Sequence, residues 1–176
     1  MCIRDSSKEP IKVNGADVIR RVTVKEWNKS HALNIGIRKC KSKYIGCVDC
    51  DIVLGKEFIQ NLKRYLSDNC FIISRNVRRI KPFFFNWKIN EEKLIQASEK
   101  WAKEGGTGAV GGVQIFSRDW IMKVHGYDEN LNYWGGIDTD LYERAIRDKL
   151  IVTDLNSLIF HQEHKDRKEN NLKDLE

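Results

Sequence analysis

The sequence lacks several features that define familiar classes of protein. Its 176 residues include no apolar stretch of transmembrane length and no hydrophobic signal core near the start. The five cysteines are an odd number without a regular framework, which argues against a disulfide-stabilised secreted domain. We therefore expect a cytoplasmic protein with no transmembrane segment, for which peripheral association with a membrane stays open.

A nucleic-acid fingerprint is also missing, although the chain is basic. The net charge of +6 and the pI near 9.0 would suit an anionic partner. The densest basic group is followed by an aromatic run at 83–87, which could stack RNA bases; its members are Arg75, Arg78, Arg79 and Lys81. Because no recognised nucleic-acid motif accompanies them, we expect no nucleic-acid partner.

The composition is that of one globular domain. Hydrophobic residues make up 41% of the chain and charged residues 32%. Residues 1–6 show no periodicity, and residues 165–176 are almost entirely polar. We predict a single domain over residues 7–164, followed by a flexible tail over residues 165–176.

Helical and strand patterns alternate along this domain, which predicts an α/β fold. Apolar spacing predicts helices at 30–40, 58–66, 91–103, 118–125 and 138–149. Short β-branched or apolar runs predict strands at 17–24, 44–48, 71–74, 110–116 and 150–160.

The first acidic cluster, Asp49 and Asp51, follows the predicted strand 44–48. Ionised carboxylates at the end of a buried strand are costly unless a cation or hydrogen-bond donors satisfy them. Carboxylate oxygens suit Mg²⁺ or Mn²⁺, and such ions often carry one or two protein carboxylates while substrate phosphates complete the shell. The cluster therefore predicts a divalent metal and a phosphate-bearing substrate.

A second acidic cluster follows the loop Trp134-Gly135-Gly136, in which two glycines let the backbone approach a ligand. Asp138 and Asp140 stand at the start of a predicted helix, where aspartate serves as a cap about as often as it serves in catalysis. His161 and His164 follow the last predicted strand. Alone they would be ordinary surface histidines, but with the two acidic clusters they suggest a site.

Five ordered segments carry a family resemblance: WNKSHALNIGI at 27–37, YIGCVDCD at 44–51, GGVQIF at 111–116, GYDE at 126–129 and WGGIDTDL at 134–141. Together they resemble GT-A glycosyltransferases, in particular family-2-like enzymes with a galactosyltransferase-type C-terminal part. That group includes β-1,4-galactosyltransferases and chondroitin-polymerase-like capsule enzymes. The resemblance, over about residues 22–170, implies a GT-A (Rossmann-like) nucleotide-sugar-binding fold.

The implied activity is metal-dependent, inverting transfer of a sugar from a nucleotide sugar, such as a UDP-sugar, to a glycan acceptor hydroxyl in polysaccharide biosynthesis. By the resemblance, Asp51 binds Mn²⁺ (or Mg²⁺), and Asp49 faces the donor ribose and the metal shell. The C-terminal metal ligand is His161 or His164, and the sequence favours neither.

The resemblance also assigns the remaining site residues. Asp138 corresponds to the catalytic aspartate, with Asp140 as the next candidate for the base. The donor- and acceptor-binding positions are Asn28, Lys29, Asn34, Gly111, Gly112, Trp134, Gly135, Gly136 and Asp140.

Two departures from the family pattern affect these expectations. Ile137 stands where the family usually has glutamate, which leaves the acceptor undefined. The usual first strand is not recognisable before Asp17, so we expect an N-terminally truncated domain. The alternatives are a non-catalytic remnant that binds a sugar nucleotide or glycan, and a metal-dependent phosphoryl-transfer enzyme; the Trp-Gly-Gly loop argues against the latter.

Overall fold

The computed structural model describes residues 2–5, 17–20, 28–81, 90–100, 110–131 and 136–163. The helices are α1 (Lys29–Lys39), α2 (Phe58–Lys63), α3 (Glu91–Gln96), α4 (Arg118–Lys123) and α5 (Ile137–Arg147). The strands are β1 (Cys2–Asp5), β2 (Asp17–Arg20), β3 (Tyr44–Val48), β4 (Ile52–Leu54), β5 (Cys70–Ile73), β6 (Val77–Ile80), β7 (Ser98–Lys100), β8 (Val113–Ser117), β9 (Ile151–Asp154) and β10 (Ile159–Gln162).

The main sheet has the order β3-β8-β5-β9, and its two central strands, β8 and β5, are buried on both faces. Side chains alternate along β5, so that Phe71 and Ile73 join one apolar cluster whereas Cys70 and Ile72 join the other. The first cluster includes residues of α1, α4 and α5. These helices therefore pack on one face of the sheet, and α1 and α5 bring their N-terminal ends toward the end of β3.

A second sheet has the order β4-β10-β6-β7. Its strand β10 pairs antiparallel with β4 and parallel with β6. At the end of β10 the Gln162 amide donates to the Asp51 carbonyl at 2.9 Å. This bond holds the C-terminal strand beside the acidic loop that follows β3.

Local sequence explains where α1 and α5 begin. Asn28 caps α1, because its side-chain oxygen accepts a hydrogen bond from the His31 amide at 2.8 Å. Helix α5 follows Gly136, whose φ of 84° lies in the left-handed region that glycine adopts without strain. Asp138 is therefore the second residue of α5 and not its cap.

Several predicted elements differ from those observed. The predicted helix 91–103 ends at Gln96, because Ser98–Lys100 instead pairs as β7 with β6. The final predicted strand is two strands in different sheets, and β1 lies before Asp17, where we expected no strand. Among the described residues, no helix has the length and apolar character needed to cross a membrane.

Candidate active site

Lys29 joins two acidic residues that are far apart in sequence. Its Nζ lies 2.8 Å from Asp49 Oδ1 and 3.3 Å from Asp138 Oδ2. The three side chains are 21%, 34% and 25% exposed respectively, so they form a half-buried cluster that solvent or a ligand can reach. The first turn of α1, the end of β3 and the first turn of α5 thus converge on one point, while the roles that the resemblance implies for these residues stay predictions.

Gly111 forms the wall of the site next to Asp138. A Cβ atom built on Gly111 would lie 2.7 Å from Asp138 Oδ2 and 3.1 Å from its Cγ. The neighbouring Gly112 has a φ of 88°, and its carbonyl accepts a hydrogen bond from the Asp49 amide at 2.9 Å. The two glycines therefore leave room for the Asp138 carboxylate and fix the backbone of the acidic loop.

Burial and the positive charge of Lys29 shift the pKa of Asp138 in opposite directions. Burial raises the pKa of this carboxyl group above its ordinary value, while the Lys29 ammonium group lowers it and Asp49 raises it further. Burial lowers the pKa of Lys29, but the two carboxylates outweigh it, so the net shift is upward. Lys29 is therefore charged at neutral pH, and Asp138 is more basic than a solvent-exposed aspartate.

Asp51, on the same acidic loop, forms a second pair with His161 of β10. Asp51 Oδ2 lies 3.6 Å from His161 Nε2, and their side chains are 26% and 21% exposed. Two neighbouring ligands at about 2.1 Å from an octahedral metal lie roughly 3 Å apart, so a small movement would let both atoms bind one ion. A carboxylate with an imidazole is a donor set that fits Mn²⁺.

No group of three His, Cys, Asp or Glu side chains that could hold a metal occurs within the described parts of the chain. A Mn²⁺ or Mg²⁺ site based on the Asp51–His161 pair would thus need oxygen ligands from a substrate, as phosphate-bound ions commonly have. His164 lies outside the described residues. The assignment of the histidine ligand therefore stays a prediction.

Helix α1 also contacts the GYDE segment, a connection that the sequence did not reveal. Asn34 is buried, and its side-chain amide donates to the Tyr127 carbonyl at 2.8 Å and to Glu129 Oε1 at 2.9 Å. Glu129 Oε2 lies 2.7 Å from His31 Nδ1, and the Asn28 side chain donates to the Glu129 carbonyl at 2.9 Å. The hydrogen bond from Asn34, followed by the interaction with His31, lowers the pKa of Glu129. Asn28 and Asn34 thus join α1 to this segment, and their contact with a nucleotide stays a prediction.

Asp140 forms an ion pair with a different residue from the one that Asp138 contacts. Its Oδ2 lies 2.7 Å from Arg144, one turn later on α5, and the same arginine donates to the Gly126 carbonyl at 2.8 Å. The hydrogen bond from Arg144 to Gly126 links α5 to the turn that precedes Tyr127. The predicted donor and acceptor roles of Trp134 and Gly135 fall outside the described residues.

Sequence comparison identifies the family. The family model described as glycosyl transferase family 2 matches residues 4–124, and the one described as the N-terminal domain of galactosyltransferase matches residues 92–165. The chain belongs to glycosyl transferase family 2. A comparison with curated protein sequences gave no significant match.

Solved structures share the fold at low sequence identity. GalNAc-T7 with UDP, GalNAc and Mn²⁺ has a TM-score of 0.61 at 13% identity, over 86% of this chain and 33% of that protein. The catalytic domain of Drosophila β1,4-galactosyltransferase 7 with xylobiose has a TM-score of 0.54 at 20% identity, over 88% of this chain and 58% of that one. A variant of the Drosophila enzyme with manganese, UDP-Gal and xylobiose gives 0.53 at 18% identity, over 89% and 60%.

The chain therefore spans between a third and three fifths of the length of these structures. The predictions of an α/β GT-A fold and of a family-2-like glycosyltransferase are confirmed. The galactosyltransferase model matches the predicted C-terminal part over residues 92–165.

Proposed function

We propose that the chain transfers a sugar from a nucleotide-sugar donor, such as a UDP-sugar, to a hydroxyl group of a glycan acceptor. The observation that carries the proposal is the convergence of Asp49 and Asp138 on Lys29 beside the Asp51–His161 pair. The residues lie in four separated segments: the first two segments are in the part matched by the family 2 model, and those of Asp138 and His161 are in the part matched by the galactosyltransferase model. Similar structures with bound UDP and Mn²⁺ support the same class of donor and metal.

In the proposed reaction, Asp138 accepts the proton of the acceptor hydroxyl group while that oxygen attacks the anomeric carbon of the donor. The bond from this carbon to the diphosphate breaks, and the nucleoside diphosphate leaves on the opposite side, which inverts the anomeric configuration. The raised pKa of Asp138 suits a general base. Proton transfer of this kind contributes about 10²- to 10⁴-fold to the rate.

The residues that would hold a metal ion are Asp51 and His161, with Asp49 on the same loop. When bound, Mn²⁺ or Mg²⁺ supplies positive charge that stabilises the departing diphosphate. Lys29 binds Asp49 and Asp138 at the same time, so it keeps two carboxylates close together without strong repulsion. A glycan acceptor, polysaccharide biosynthesis and a cytoplasmic location stay predictions.

The test is to incubate the chain with a panel of nucleotide sugars, glycan acceptors and Mn²⁺, and to measure released nucleoside diphosphate. Nuclear magnetic resonance of the product should show inversion at the anomeric carbon. The Asp138→Asn variant should lose turnover, whereas Asp68→Asn, at an exposed surface ion pair, should not. Donor binding without turnover would favour a non-catalytic binding protein, and cleavage of the diphosphate to nucleoside monophosphate and sugar 1-phosphate would favour phosphoryl transfer.

A further inference from the structure

Gln114 is a buried amide in an otherwise apolar part of β8. It is 1% exposed, and Val113 and Ile115 beside it belong to the core. Burying an amide costs free energy unless its donors and acceptor are satisfied. All of the polar atoms of the Gln114 side chain have partners, so the amide is held in one orientation.

The two donor bonds of Gln114 connect two neighbouring segments of the site. Its Nε2 donates to the Val110 carbonyl at 3.1 Å and to the Asp138 carbonyl at 2.9 Å. Val110 precedes Gly111, which faces the Asp138 carboxylate, and Asp138 lies in the first turn of α5. One NH₂ group therefore sets the distance between the glycine wall and the turn that carries the proposed base.

The third bond fixes which way the amide points. Tyr127 is 2% exposed, and its hydroxyl group donates to Gln114 Oε1 at 2.8 Å. Both carbonyls on the other side can only accept, so the NH₂ group must face them and the oxygen must face Tyr127. Burial raises the pKa of Tyr127 well above its ordinary value, which keeps the phenol a donor.

Tyr127 is itself fixed from α1. Its backbone amide donates to Asn34 Oδ1 at 2.8 Å, and its carbonyl accepts from Asn34 Nδ2 at the same distance. A continuous set of hydrogen bonds therefore runs from α1 through Tyr127 and Gln114 to α5. These buried polar groups fix the position of the helix that carries Lys29 relative to the helix that carries Asp138.

We propose that Gln114 is a positioning residue that directs the Asp138 carboxylate by holding the first turn of α5 against the Val110–Gly111 wall. This rests on the proposed function, in which Asp138 is the base. A group displaced by about 1 Å from its productive position can lose about 10²-fold in rate. Gln114 thus acts on turnover through Asp138, without contact with either substrate.

The test variant is Gln114→Leu, which keeps a similar volume and removes all three hydrogen bonds. We expect kcat to fall about 10- to 100-fold with little change in nucleoside diphosphate affinity. The matched control is Ser74→Ala, because the buried Ser74 hydroxyl bonds to the Ser157 carbonyl away from the site. Both variants should lower the melting temperature, but only Gln114→Leu should lower kcat.

A double-mutant cycle separates positioning from general destabilisation. In an Asp138→Asn background, Gln114→Leu should cause no further loss of kcat, since no base remains to be oriented. Multiplicative losses, or an unchanged kcat in the single variant, would overturn the proposal. If Gln114→Leu does not fold, Tyr127→Phe, which removes the donor to Oε1 together with the hydrogen bond between the phenol and Cys47, should show the same dependence on Asp138.

Amide hydrogen exchange gives a readout that does not require activity. Exchange of the Asp140 amide, which donates to the Gly136 carbonyl at 2.7 Å at the start of α5, should be at least about 10-fold faster in Gln114→Leu than in Ser74→Ala, because the bond to the Asp138 carbonyl no longer holds this turn. Equal exchange would refute the positioning role. A parent chain that transfers no sugar but shows this difference would refute the proposed function alone.

Discussion

Replacement of Gly111 by alanine tests the shape of the proposed active site most directly. The new Cβ atom would lie 2.7 Å from Asp138 Oδ2, 3.1 Å from Cγ and 3.4 Å from Cβ. The φ of Gly111 lies outside the left-handed range, so alanine brings no backbone strain and the effect is purely one of space. The Asp138 carboxylate must turn away from the wall.

The size of this movement sets the expected loss. An ordinary contact requires about 3.4 Å or more, so Oδ2 must move by roughly 0.7 Å, away from a position that is 3.3 Å from Lys29 Nζ. Since a shift of about 1 Å can cost about 10²-fold in rate, we expect kcat to fall about 10- to 100-fold. Stability should fall by less than about 1 kcal/mol, because a side-chain end can turn without moving the helix.

The assay compares Gly111→Ala with Gly36→Ala by release of nucleoside diphosphate and by thermal unfolding. Gly36 lies inside α1, and a Cβ atom added there would meet no neighbouring atom within 4 Å. Alanine at this position should raise the free energy of unfolding by about 0.5–1 kcal/mol and leave kcat unchanged. Full turnover in Gly111→Ala would refute the placement of Asp138 as the base against this wall.

Four further substitutions test the chemistry of the site. Asp138→Asn should reduce kcat about 10²- to 10⁴-fold while donor and metal binding persist; normal turnover would exclude it as the base. Asp51→Asn should abolish Mn²⁺-dependent donor binding measured by calorimetry, and His161→Ala should weaken it; unchanged titrations would remove this pair from the metal site. Because burial raises the Asp138 pKa and Lys29 lowers it, Lys29→Met should raise it further. The acid limb of the kcat/KM profile, where the base gains its proton, should then move to higher pH, and an unmoved limb would contradict the electrostatic role of Lys29.

Local sequence was sufficient for the elements whose side chains pack in a regular pattern. Strand β3 has its predicted bounds, and α1 differs from its prediction by one residue at each end. The prediction of a helix over 91–103 was wrong, because the pairing of Ser98–Lys100 with β6 overrides a local helical preference. The sequence of these three residues does not indicate that they pair with β6.

The candidate site was predictable only as a set of residue types. Acidic pairs at a strand end and a helix start indicated Asp49, Asp51 and Asp138, but not that Lys29 would join two of them. Neither Gln114 nor Tyr127 stood out as a site residue in the sequence. A single polar residue such as Gln114 in an apolar strand forms no periodic pattern, and the hydrogen-bond partners of both residues are set by the tertiary fold. Contacts of this kind become visible only when the sheets and helices are assembled.

The position of β10 has a consequence for how the chain folds during synthesis. This strand is the last one described, yet it lies between β4 and β6 in the second sheet. Until it emerges from the ribosome, β4 and β6 each present an unpaired edge, which is a template for association with other chains. Pairings between distant segments also form slowly. The Asp51–His161 pair should therefore be among the last parts of the site to assemble, and nascent chains should depend on protection from aggregation until that point.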